Sequence, residues 1–78
     1  MQYYVELEIE ALKLKVNSRD QGVKFSGFED AYKWYMSQRN PIPCCVDIKT
    51  FQEVEPLKFY SRDKGNYGNI IITLVPAQ

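Results

Sequence analysis

Ser26-Gly27-Phe28-Glu29-Asp30-Ala31-Tyr32-Lys33-Trp34-Tyr35-Met36-Ser37-Gln38 decides the fold, because its apolar residues recur at helical spacing. At about 100° per residue, Phe28, Ala31, Tyr32, Tyr35 and Met36 share one face, and Glu29, Asp30, Lys33 and Ser37 fall opposite. An extended chain would instead put Asp30 beside Phe28, Tyr32, Trp34 and Met36, and would turn Ala31 and Tyr35 outward. Ser26 and Glu29 have capping-box spacing, and Glu29 and Asp30 place negative charge at the positive end of the helix dipole. Arg39 and Asn40 suit the other end, and Pro41 forbids continuation. Trp34 lies at the edge of the polar side. Either a loop or strand end folds over it, as for most Trp rings, or it is an exposed anchor for a partner.

The flanks read as strand. Tyr3, Val5, Leu7 and Ile9 alternate with Tyr4, Glu6, Glu8 and Glu10, as in a half-buried strand. At Ala11-Leu12 the phase slips by one, to Leu12, Leu14 and Val16, which predicts a β-bulge bending one long strand. Unbent, fourteen strand residues would span about 46 Å, too long for a domain of this size. Asn17 to Gly22 is turn chemistry, with Gly22 able to take a positive φ. Val23-Lys24-Phe25 reads as a short returning strand. Beyond the helix and the stiff Asn40-Pro41-Ile42-Pro43 connection, Cys44 to Phe51 alternates, Gln52 to Pro56 reads as a polar turn, and Leu57 to Tyr60 as a short strand. Ser61 to Asn69 follows as a loop with two glycines. Ile70 to Val75 is apolar except at Thr73, which places it mid-sheet or covered on both faces, with Pro76 ending it.

The expected fold is α+β: a small, mainly antiparallel sheet of four to five strands with one helix packed on one face. The order is β-β-α-β-β-β, within a single domain spanning residues 1–78. The second face, carrying Tyr4 and the glutamate row, should be partly wet. Leu14 to Gly22 repeats in Leu57 to Gly65 at six of nine positions. Shared turn chemistry explains this better than duplication, and it predicts two hairpin tips that each present an Arg.

Composition narrows the function classes. Apolar residues at 45% and charged ones at 26% are ordinary for a folded domain. Ten basic and ten acidic side chains cancel, which weakens any case for nonspecific nucleic-acid binding. The balance is uneven, since residues 41–55 sum to −2 and residues 56–78 to +2. No stretch approaches the roughly 18 apolar residues of a membrane span, and no signal-peptide pattern opens the chain, so a cytoplasmic protein is expected. Cys44 and Cys45 are adjacent and would point to opposite sides of a strand, so both are expected to be reduced. With no His and two Cys, a structural zinc site is not expected, nor any other metal or cofactor.

No catalytic constellation is present. There is no His to serve as a base, no nucleophile elbow, no phosphate loop and no dinucleotide fingerprint. Glu6, Glu8 and Glu10 form a row about 7 Å apart on a wet face, which most often keeps a sheet from pairing with strangers. The chain is therefore expected to be a non-enzymatic binding protein. Six Tyr, four Phe and one Trp exceed what a small core needs, so several should be exposed enough to anchor an interface. The expected contact residues are Tyr4, Glu6, Glu8, Glu10 and Trp34. They would dock on a basic protein partner or imitate the charge of nucleic acid. In style such a domain resembles proteins of phages or mobile elements that inhibit a host system by binding, and a homodimer through a sheet edge is also compatible with the pattern.

A second class is single-stranded nucleic-acid binding. Arg19, Arg62, Lys64 and Tyr67 could hold phosphates and stack a base. Val5-Glu6-Leu7, Gln21-Gly22-Val23-Lys24-Phe25, Asn66-Tyr67-Gly68 and Leu74-Val75-Pro76-Ala77 are similar to segments of filamentous-phage single-stranded-DNA-binding proteins, small all-β dimers of the OB type. The central third departs from that family, having a capped helix where the family has strand, and the neutral charge departs from it too.

Overall fold

The computed structural model describes residues 1–37, 46–62 and 68–77. Its strands are β1 (Gln2–Ile9), β2 (Leu14–Asn17), β3 (Gln52–Glu55), β4 (Lys58–Arg62) and β5 (Asn69–Ala77), with one helix, α1 (Phe28–Ser37), between β2 and β3. All pairings are antiparallel, and the spatial order is β2-β1-β5-β4-β3. The expected α+β architecture and element order are therefore present, with α1 packed against the sheet over β5. The nearly all-apolar strand sits at the centre of the sheet, as its composition requires.

Two strands come from residues other than those expected. The phase slip after Ile9 is a full reversal and not a bulge: a 3-10 turn at Glu10–Leu12 leads to Lys13, whose φ of 50° is left-handed. The chain then pairs back, Ile9 opposite Leu14 and Leu7 opposite Val16, which returns Leu14 and Val16 to the face they share with Leu7 and Ile9. Lys in the left-handed position hides the turn, because Gly or Asn normally marks it. Likewise, the alternating stretch before Phe51 is no strand where it is described. Asp47 accepts a hydrogen bond from the Lys49 amide at 3.0 Å and caps a 3-10 turn at Ile48–Thr50. The strand is Gln52–Glu55, expected to be a turn because every residue in it is exposed and polar except Val54. The actual turn is Pro56-Leu57, with Leu57 at φ 65° and its amide bonded to a Glu53 carboxylate oxygen at 2.9 Å.

Val23-Lys24-Phe25 forms only an isolated bridge, in which Tyr3 and Phe25 exchange both backbone hydrogen bonds at 2.8 Å. That bridge explains why β5 runs through Pro76. Tyr3 turns its N–H and C=O toward Phe25, so Pro76, directly opposite Tyr3, stands where no donor is needed. Between the bridge and β2, the Ser18 hydroxyl accepts the Val5 amide at 2.8 Å, with both residues fully buried. Strand, hydroxyl and bridge together satisfy the outer edge of β1.

The core lies between α1 and one face of the sheet. Val5, Leu7, Ile9, Ile70, Ile72 and Leu74 meet Ala31, Trp34 and Tyr35 of the helix. Phe28 stacks on Phe59 at 4.1 Å between centroids and meets Phe51 edge-on at 5.4 Å. The Tyr32 hydroxyl donates to the Val46 carbonyl at 2.8 Å, and the Val46 amide donates to the Tyr35 hydroxyl at 3.2 Å, so the helix ties down the segment before β3. The helix begins one residue later than the capping box implies. Gly27 accepts its first backbone bond, and the Ser26 hydroxyl donates to Asp30, not to a group on Glu29. Among the described residues, no helix is long and apolar enough to cross a membrane.

Candidate interaction face

Alternation along each strand sends a second set of side chains to the face away from α1. Read across the sheet, one row is Asn17, Glu6, Thr73, Lys58 and Glu55, and the next is Lys15, Glu8, Ile71, Tyr60 and Gln52. A third joins Glu10, Asn69 and Arg62, with the Asn69 amide group donating to a Glu10 carboxylate oxygen at 3.0 Å. At the other end, Tyr4 lies beside Val75. The Arg19 guanidinium sits 4.8 Å above the Tyr4 ring centre, and the Lys24 ammonium is 5.7 Å from it. Such cation–ring contacts hold the two basic chains over an aromatic platform.

The face is striped. Glu6 and Glu8 line β1 with Glu10 in the turn just beyond it, Lys58 and Arg62 line β4, and Ile71, Thr73 and Val75 run between them on β5. Lys15 stands opposite Glu8 on the outer side. Glu6 and Glu10 are exposed, Glu8 and Tyr4 half-buried, and Ile71 is only 7% exposed beneath its longer neighbours. A depression of about 220 Å³ opens among Glu6, Glu8, Lys15, Asn17, Asp20 and Thr73. Among the described residues, no group of three or more His, Cys, Asp or Glu is placed to hold a metal ion.

The expected contact set does not converge. Tyr4 and the three glutamates share this face, but Trp34 belongs to the helix that covers the opposite one. It is 8% exposed, tilted against Phe25 at 5.7 Å, and its indole N–H donates to the Gln21 side chain at 3.3 Å. A covering segment, Gln21 to Phe25, makes it a core ring and not an anchor. Most of the aromatic surplus is likewise spent on the helix side, which leaves Tyr4 and Tyr60 on the striped face.

The nucleic-acid set is also dispersed where it is described. Arg19 lies at the Tyr4–Val75 end and Arg62 at the Asn69 end, about 20 Å away at ~3.3 Å per strand residue. Arg62 closes β4 rather than sitting on a hairpin tip. Lys64 and Tyr67 lie outside the described residues, as do Cys44 and Cys45.

Lys58, Tyr60, Ile71 and Thr73 belong to the face without having been singled out from sequence. The Lys58–Tyr60–Arg62 alternation could have indicated the first two, had β4 been extended past Tyr60. Ile71 carries no such signal, since an apolar strand shows no preferred side. The likeness to filamentous-phage DNA-binding proteins stops short of the fold, because Phe28–Ser37 is helix where that family has strand. No protein-family model, curated protein or solved structure matches the chain.

Proposed function

We propose that this chain is a non-enzymatic protein-binding module that acts through the striped sheet face, restraining a partner by occupying its surface. One observation carries the reading. Five strands present a continuous face, with acidic, apolar and basic stripes side by side, that no described element covers. A sheet face with a partly apolar centre and a charged rim has the anatomy of an interface. The flanking Lys15, Arg19, Lys24, Lys58 and Arg62 favour a partner with its own alternation of charge over a uniformly basic one.

The test is a pull-down with the tagged chain and with a Glu6→Lys/Glu8→Lys variant, both checked for folding by circular dichroism. A bound protein recovered by the native chain and released by the variant supports the face. Retention undiminished by the charge reversal overturns it.

A further inference from the structure

Taking the striped face as the interaction surface, we infer that one occupant it fits is a second copy of this chain, packed face to face about a two-fold axis that runs along β5.

The argument is one of symmetry. In a face-to-face pair the two-fold axis must lie in the interface plane, and the same patch contacts itself. With the axis along β5, each residue keeps its level along the strand and crosses to the other side of the central stripe. β1 of one copy therefore lies over β4 of the other, and β5 lies on β5. The registers then decide what meets what. Glu6 and Lys58 both stand level with Thr73, so Glu6 faces the partner's Lys58 and Lys58 faces the partner's Glu6. Glu8 and Tyr60 both stand level with Ile71, which places Glu8 over the partner's Tyr60 hydroxyl. Glu10 and Arg62 flank Asn69, so they pair in turn. Along the axis the half-buried Thr73 and Val75 meet their own copies, while Ile71 lies beneath its longer neighbours. Two of the three acids on the β1 side thus meet a base, and the third, Glu8, meets a hydroxyl that can donate to it. A face with acids and bases intermixed along each strand, or of a single sign, would not allow this.

Packed sheets keep their strands within about 30° of one another, and the long Lys and Arg side chains absorb the resulting offset at the ends. Strands of about five residues, in a sheet of five strands spaced ~4.8 Å apart, present a face of roughly 17 by 24 Å. That is about 400 Å² on each copy and about 800 Å² in all, below the ~1,200 Å² at which standard specific interfaces begin, so the dimer should be weak and transient, dissociating in the high-micromolar range.

The test is sedimentation equilibrium on the native chain from 1 μM to 500 μM, followed by a charge-exchange experiment. Glu6→Lys/Glu10→Lys and Lys58→Glu/Arg62→Glu should each be monomeric, because each sets like charges across the axis twice. Mixed in equal amounts they should dimerise again with about the native affinity, because both halves of the contact become opposite. As a control, Lys33→Glu/Lys49→Glu has the same net charge as the second variant but places it on the exposed outer side of α1 and on the Ile48–Thr50 turn. Its face is native, so it should dimerise with itself, but it should not draw the first variant, followed by its own fluorescent label, into a dimer. A native chain that stays monomeric at 500 μM overturns the inference while leaving a foreign partner for the face to the pull-down. Folded variants that dimerise undiminished, a mixture that fails to reassociate, or a control that rescues equally would each overturn it as well.

Discussion

Replacing Ser18 with Ala tests how the edge of β1 is completed. β2 leaves the sheet after Asn17, and the next outward-facing amide of β1, that of Val5, would have no backbone partner. The Ser18 hydroxyl takes its place at 2.8 Å, with both residues at 0% exposure. Alanine keeps the Cβ and opens almost no cavity, so the main cost is an orphaned buried N–H, about 1–3 kcal/mol. Relief from burying a hydroxyl offsets part of this, leaving about 1–2 kcal/mol. A domain of this length should hold roughly 4–12 kcal/mol in all, and each kcal/mol moves Tm by about 4–8 °C. Ser18→Ala should therefore lower Tm by about 5–15 °C. The urea midpoint should fall without a change of slope, and the Val5 amide should exchange faster with solvent. The same replacement at exposed Ser26 should cost about 0.5 kcal/mol or less. A Tm within about 1 °C of the native value, or unchanged protection at Val5, would refute the assignment.

Lys13→Gly should stabilise the fold by about 0.5–1 kcal/mol, seen as a rise in Tm, because it frees a side chain from the left-handed φ of 50° in the β1–β2 turn. Trp34, the one Trp in the chain, should emit at shorter wavelength when folded than in urea and resist acrylamide quenching, and partner binding should leave its emission unchanged. An emission maximum unchanged by urea would place it in water. Phe28→Ala should cost about 2–4 kcal/mol, somewhat less than a fully buried Phe because the ring is half-buried, by removing the ring that bridges Phe51 and Phe59, and should lower the urea midpoint. Fluorescent oligothymidylate should show no binding that steepens as salt falls; such binding would revive the nucleic-acid reading.

The sequence by itself determined the layers. The helix was legible because five apolar residues repeat at 3.6 spacing and its boundaries carry a Ser, two acids and, beyond, a Pro, all local features. The central place of Ile70 to Val75 was legible because so apolar a strand belongs in the middle of a sheet, with a paired strand at each edge. Strand identity failed at two points, for the same reason. Lys13 and Leu57 take left-handed conformations usually marked by Gly, so the β1–β2 and β3–β4 turns had no signature, and an exposed acidic edge strand looked like a loop. Only the tertiary structure decided which residues share a face. Which ring is covered depends on where Gln21 and Phe25 come to rest, and that long-range contact turned Trp34 from an anchor into core. The pairing of an acidic β1 with a basic β4 across β5 joins residues more than fifty positions apart in the chain, and no periodicity within either strand could reveal it.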